Sequence, residues 1–241
     1  MEILTNTPGS SDGSHRITDI RAALRDENRV NIYIDGKFSF SLDLSQVVDY
    51  KVKVGKRLEP SEIDKLKRAS AFGILYQRTL EWVFIRPRSI RETRDHLRAR
   101  QLKRTLENRR RAQNLEKPIE DRRKYKLPTR QLPEILDEDI EAVIARLTEK
   151  SYLDDEKFAR YFVENRNFRK GTSMLRLRQE LAKKGIDKSI IDNIFSESPR
   201  DERAEISKII AKKRSRYDDH KLTQYLLRQG FSYDLIREVL Q

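Results

Sequence analysis

Residues 152–195 read YLDDEKFARYFVENRNFRKGTSMLRLRQELAKKGIDKSIIDNIF, and their spacing predicts three short amphipathic helices with a stop after each of the first two. In the first, Phe158, Tyr161, Phe162 and Asn165 fall on one face, behind the acidic start Asp154-Asp155-Glu156. Asp154 or Asp155 can cap free backbone N–H groups there, and the acids suit the positive end of the helix dipole. Gly171 ends that helix. A second starts at Thr172 or Ser173, turns Met174, Leu177 and Leu181 inward, and stops at Gly185, a natural left-handed C′ residue. The third opens at Asp187 and presents Ile190, Ile191, Ile194 and Phe195. Helices this short do not persist alone in water, so the three must pack together.

The unit recurs. A shift of 45 residues places Leu222, Leu226, Gly230, Leu235, Ile236, Val239 and Leu240 on Leu177, Leu181, Gly185, Ile190, Ile191, Ile194 and Phe195. Gly185 and Gly230 should therefore both have positive φ. Upstream, Ser89, Ile90 and Leu97 fall on Ser173, Met174 and Leu181 at a shift of 84. Three copies of one three-helix motif run from about Ser61 to the last residue.

At these residues the chain resembles the RecX family, modulators of the RecA recombinase. The resemblance is carried by Tyr152, Leu153, Asp154, Asp155, Phe158, Ala159, Gly171, Arg178, Glu180, Leu181, Lys184, Gly185 and Ile186, and upstream by Arg86-Pro87-Arg88-Ser89 and Leu97. It implies a mainly helical fold: tandem three-helix repeats in an elongated array with a small N-terminal β-rich extension. It also implies a protein that binds the RecA–DNA filament and restrains its ATPase, strand-exchange and co-protease activities, DNA being met directly or through the filament. The expected divisions are a disordered N-terminus at 1–15, a β-rich extension at 16–58, and repeats at 61–150, 151–197 and 200–241. A basic insertion at about 103–133 interrupts the first repeat and departs from the family pattern.

Composition bounds the alternatives. The 241 residues are 37% hydrophobic and 38% charged, which favours small helical units with thin cores over one large core. The absence of cysteine excludes disulfides, thiolate catalysis and cysteine zinc sites. No apolar run matches a membrane span or a signal peptide, so the expectation is a soluble cytoplasmic monomer without membrane partners. A net charge of +13 points to a polyanionic partner.

Val30, Ile32 and Ile34 alternate with polar residues, Asp35-Gly36 makes a two-residue turn, and Phe38, Phe40 and Leu42 alternate beyond it. Residues 17–24 should add a third strand, residues 44–48 a helical turn, and Pro60 a helix start. From 61 to 86 the pattern is helical with a break expected near Ser70 to Gly73. Ala69, Phe72, Leu75, Tyr76, Leu80, Val83 and Phe84 form its apolar face, and Trp82 is read as a packing anchor. Ser89 and Glu92 make a capping box. From Arg98 to Pro133 there are thirteen basic and four acidic residues, Arg109, Arg110, Arg111, Arg122, Arg123 and Lys124 among them. Ala99, Leu102 and Leu106 extend the helix into this segment, and Pro118, Pro128 and Pro133 break it.

Few residues could carry chemistry. His15, His96 and His220 are scattered outside metal-ligand spacing, and adjacent Asp154 and Asp155 do not converge on one substrate atom. No Gly-rich phosphate loop is present. The expectation is a non-enzyme without cofactor or metal. Arg160, Arg166, Arg169, Lys170, Arg176 and Lys183 lie outside the apolar faces and are the candidate contacts to RecA or DNA. The competing reading is a helical protein that binds nucleic acid directly, through a helix-turn-helix-like pair at Gly185, without RecA.

Overall fold

The computed structural model describes residues 14–24, 26–165, 171–197 and 201–241. It is mainly helical, with tandem three-helix domains and a small N-terminal sheet. The expected disordered N-terminus falls almost wholly outside the described residues, as do Arg166, Arg169 and Lys170.

The N-terminal part is a four-stranded antiparallel sheet of β1 (His15–Ala23), β2 (Asp26–Ile34), β3 (Lys37–Asp43) and β4 (Arg57–Leu58), in the order β3-β2-β1-β4. Asp35 and Gly36 join β2 to β3 with φ of 49° and 73°, as a type I′ turn requires. Ile17, Ile32, Ile34, Phe40 and Leu42 line one face and pack with Val52, Leu58, Ile63 and Leu66. Phe38 breaks the alternation. A register shift between Ile32 and Tyr33 turns it outward, edge-on to Tyr33 at 6.1 Å. The following helix α1 (Leu44–Asp49) is closed by a capping box between Asp43 and Gln46.

Helix α2 (Pro60–Phe84) is continuous, and the break expected near Ser70 to Gly73 does not occur. The small residues there serve a close approach instead. Ser70 Oγ donates to the Ser41 carbonyl at 2.5 Å, and a Cβ on Gly73 would sit 2.9 Å from the Gln46 amide. Phe84, placed on the inward face by its spacing, is 64% exposed, because the apolar stripe ends at Val83.

Helix α3 (Ile90–Leu115) runs on past Leu106, as Ala99, Leu102 and Leu106 foretold. The short helix α4 (Ile119–Lys124) follows, and an irregular return segment without secondary structure closes the insertion. That return is tied down by a ladder. Asn108 exchanges two bonds with the Leu132 backbone, both 2.9 Å, Arg111 donates to the Arg130 carbonyl at 2.8 Å, and Asn114 donates to the Pro128 carbonyl at 3.0 Å. Residues three apart on one helix face thus meet alternate residues of the return segment.

The remaining helices are α5 (Asp137–Glu149), α6 (Asp155–Asn165), α7 (Met174–Lys183), α8 (Lys188–Glu197), α9 (Glu202–Lys213), α10 (Asp219–Arg228) and α11 (Tyr233–Leu240). Around α6, α7 and α8, Phe158, Ala159, Leu177, Leu181, Ile186, Ile191, Ile194 and Phe195 make one core. Ile206, Ile209, Leu226, Phe231 and Ile236 make the core of α9, α10 and α11. The inward stripe of α6 is Phe158, Ala159, Phe162 and Val163; Tyr161, expected inside, is 41% exposed, and Asn165 is exposed too. Gly185 and Gly230 have φ of 81° and 91°, which bears out the repeat alignment.

Candidate functional site

The second helices of the three repeats, α3, α7 and α10, are coupled end to end by one joint used twice. Ser89 caps α3, accepting from the Glu92 N–H at 3.0 Å, and its own hydroxyl donates to the Lys184 carbonyl at 2.8 Å. Ser173 caps α7, accepting from the Arg176 N–H at 3.2 Å, and donates to the Gln229 carbonyl at 2.5 Å. Lys184 and Gln229 are the C-cap residues of α7 and α10. Each serine therefore satisfies one free donor at its own helix start and one free carbonyl at the end of the next repeat's helix. The positive end of one dipole meets the negative end of the other. Both serines are fully buried.

A carboxylate from the first helix of the following repeat completes each joint. Asp155 accepts from the Ile90 N–H at 2.8 Å, and Glu202 accepts from the Met174 N–H at 2.7 Å. The buried Glu205 adds a bond from the Thr172 N–H at 2.9 Å. Asp154 and Asp155, equivalent at sequence level, thus divide the work. Asp154 caps its own helix, taking the Glu156 and Lys157 N–H groups at 3.0 Å each, while Asp155 reaches the preceding repeat. Burial, the largest influence, lifts the Asp155 carboxyl above its usual range against the opposing bond from Ile90. At Glu92 burial pushes the same way, but the Arg86 and Lys184 bonds together outweigh it and hold that carboxyl low.

The glycines belong to these joints. A Cβ on Gly185 would lie 2.6 Å from Arg91 Cβ at the start of α3, and one on Gly230 would lie 2.9 Å from Ser173 Oγ. Gly171, with φ of 74°, would set a Cβ 2.4 Å from the Glu205 carbonyl oxygen. Polar side chains around the joints have exchanged type between copies. Lys184 pairs with Glu92 in the first, whereas Arg176 donates to the Gln229 side chain in the second.

The basic candidates separate accordingly. Arg160 is held by Glu156 and Glu197 at 2.8 and 2.7 Å, and Arg176 also pairs with Glu180, so each already has partners within the chain. Lys183 is exposed and borders an open depression with Arg86, Lys184, Phe158 and Phe162. In the insertion Arg109, Arg110, Arg123 and Lys124 are exposed. Arg111 is tied to Glu107 and the Arg130 carbonyl, and Arg122 is half-buried. Of the signature residues, Leu153, Phe158 and Leu181 are core, whereas Tyr152 is 42% exposed. Trp82 stacks on His96 at 4.0 Å with the Arg88 guanidinium 3.9 Å from its ring centre. Burial, then Arg100 and Arg88, push the His96 pKa down. Among the described residues no group of three His, Asp or Glu side chains could hold a metal ion, and no helix is long and apolar enough to cross a membrane.

The doubled joint and its two glycine-bounded cores define a class: a tandem three-helix repeat protein. Residues 15–59 match the regulatory protein RecX N-terminal domain, 154–193 the RecX second three-helix domain, and 201–240 the RecX third three-helix domain. Those matches together span just over half of the chain, which belongs to the RecX family of regulatory proteins. Regulatory protein RecX of Bacillus licheniformis is 27% identical over 233 residues, covering 93% of this chain and 76% of the relative. The protein of the same name from Bacillus subtilis (strain 168) is 27% identical over 229 residues, with coverages of 91% and 74%. A crystal structure of regulatory protein RecX has the same fold, with a TM-score of 0.63 at 20% identity over 93% of this chain and 98% of that one.

Proposed function

We propose that the protein regulates the RecA recombinase in the cytoplasm, binding the RecA–DNA filament and restraining its ATPase, strand-exchange and co-protease activities without catalysis of its own. Membership of a regulatory family is the observation that carries this reading. The repeated joint adds a physical reason. Two copies of one set of bonds fix each second helix against the next, so contacts on successive repeats are presented in a set relation and reinforce one another on a repeating target. The net charge of +13 suits a phosphate-rich partner.

Contact residues follow from what the joints leave over. Arg176 is engaged by Gln229 and Glu180, so reversing it would disturb the joint as well as any partner contact. A cleaner variant combines Lys183→Glu with Arg169→Glu and Lys170→Glu, the last two chosen on their sequence positions alone. It should keep its helical circular dichroism and melting temperature and bind the RecA filament roughly tenfold more weakly, equivalent to about 1.4 kcal/mol. Unchanged affinity would move the contact surface away from the middle repeat.

The second reading, direct binding of nucleic acid without RecA, is favoured by the exposed Arg109, Arg110, Arg123 and Lys124 of the insertion. The salt dependence of binding to naked DNA, with and without RecA, discriminates between the two.

A further inference from the structure

An aromatic and aliphatic patch is left uncovered where α2 ends and α6 begins. Phe84 is 64% exposed, Ile85 75% and Tyr152 42%, and the Phe84 and Tyr152 rings meet edge to face at 5.3 Å. Phe84 and Tyr152 line a depression of about 280 Å³ together with Val83 and Phe158, and Ile85 lies next to it in the chain. That volume falls just short of the ~300–1,000 Å³ of small-molecule pockets, and it suits one inserted side chain.

The exposure of Tyr152 is not imposed by its turn. Helices α5, α7 and α10 all end in the same way, with the N–H of the second residue beyond the cap returning to a carbonyl of the last turn. The pairs are Tyr152 to Leu147 at 2.9 Å, Ile186 to Leu181 at 3.2 Å, and Phe231 to Leu226 at 3.3 Å. Ile186 and Phe231 then fold onto their helices and are buried, the usual companion of this cap. At α5 the next residue, Leu153, fills that place at 1% exposure and Tyr152 faces out. The turn is reached through Ser151 at φ of 57°, a left-handed position that favours glycine.

Charge identifies the occupant. Arg86, Arg88 and Lys157 stand around the depression; Arg86 is bonded to Glu92 and Lys157 pairs with Asp154 at 3.5 Å, so Arg88, stacked on Trp82, leaves the rim with a surplus of positive charge. The rings meet edge to face, with Pro87 beside them, and offer little of the open ring face on which nucleic-acid bases stack.

We infer that the Phe84–Tyr152 cleft is a docking seat for an apolar side chain on an acidic segment of a protein partner. The inference rests on the proposed regulatory function, in which that partner is the protein component of the filament.

The test uses the full chain, RecA filaments assembled on single-stranded DNA, and the same DNA without RecA. A Phe84→Ser, Tyr152→Ala double variant should lose at least tenfold in affinity for the filament, keep its melting temperature, and bind naked DNA as the parent does. Lys157→Glu, at a side chain 73% exposed, should lose at least threefold and supplies the readout if the double variant is unstable. Filament affinities within twofold of the parent would overturn the docking seat while leaving the proposed function intact. An equal loss on naked DNA would make the cleft a nucleic-acid contact and overturn the inference. A parent protein that does not bind the filament would overturn the proposed function, and the docking seat with it.

Discussion

Gly171→Ala is expected to be among the most damaging single substitutions in the chain, costing on the order of 2–5 kcal/mol. Two effects add. The residue sits at φ of 74°, where any L side chain is strained by about 1–2 kcal/mol. Its new Cβ would also lie 2.4 Å from the Glu205 carbonyl oxygen and 2.8 Å from Ile209, so helix α9 itself must shift. Overpacking of that kind adds about 1–3 kcal/mol. Gly36→Ala is the control, because its φ of 73° is nearly the same and nothing lies within 4 Å of the added atom. Denaturant unfolding of the two variants separates strain from collision. Equal losses at the two sites would mean that α9 does not pack on Gly171. Gly185→Val should also be costly, since its obstacle is Arg91 Cβ, an atom fixed to the start of α3.

Ser173→Ala comes next, at about 2–4 kcal/mol, although it removes a single oxygen. Loss of the N-cap accounts for roughly 1 kcal/mol. The rest is the bond from the fully buried Ser173 hydroxyl to the carbonyl of the half-buried Gln229, whose loss is worth about 1–3 kcal/mol. Ser89→Ala should behave alike through the Lys184 carbonyl. Asp218 occupies the equivalent place in the third repeat and caps α10 through the Lys221 N–H at 2.8 Å, but its carboxylate has no proton to give a further carbonyl. Asp218→Ala should therefore cost clearly less than either serine change. Matching losses at all three positions would show that the serines act as caps only, and the joint would lose its energetic basis.

The residues that mark repeat boundaries were legible because their roles are local. Gly185 and Gly230 need a left-handed backbone, and Ser89 and Ser173 sit where helices begin, so a shift along the chain aligns them. The bonds that make the joint were not legible. The Ser89 hydroxyl and the Lys184 carbonyl are 95 residues apart, and a main-chain acceptor leaves no trace in residue type. Spacing could not tell Asp154 from Asp155 either, because either carboxylate can cap a helix and only tertiary packing decides which one turns away. Phe84 misled for a related reason. Periodicity assigns a face to every apolar residue, and it cannot tell where the covering layer stops. The insertion was readable in part: its prolines marked the irregular return, whereas the bonds from Asn108, Arg111 and Asn114 to it were not foreseeable from residue type. Their use as a ladder depends on the return segment laid beside them. Arg176 has the sequence position of a surface cation, yet its partner Gln229 comes from the neighbouring repeat.

The most direct measurement is the rate of ATP hydrolysis by RecA on single-stranded DNA as this protein is added. A saturable fall in the rate is expected, with the Lys183→Glu, Arg169→Glu, Lys170→Glu variant needing roughly tenfold more protein for the same effect. An unaltered rate at concentrations where the protein demonstrably binds the naked DNA would contradict it, and would establish a nucleic-acid-binding protein that acts without RecA.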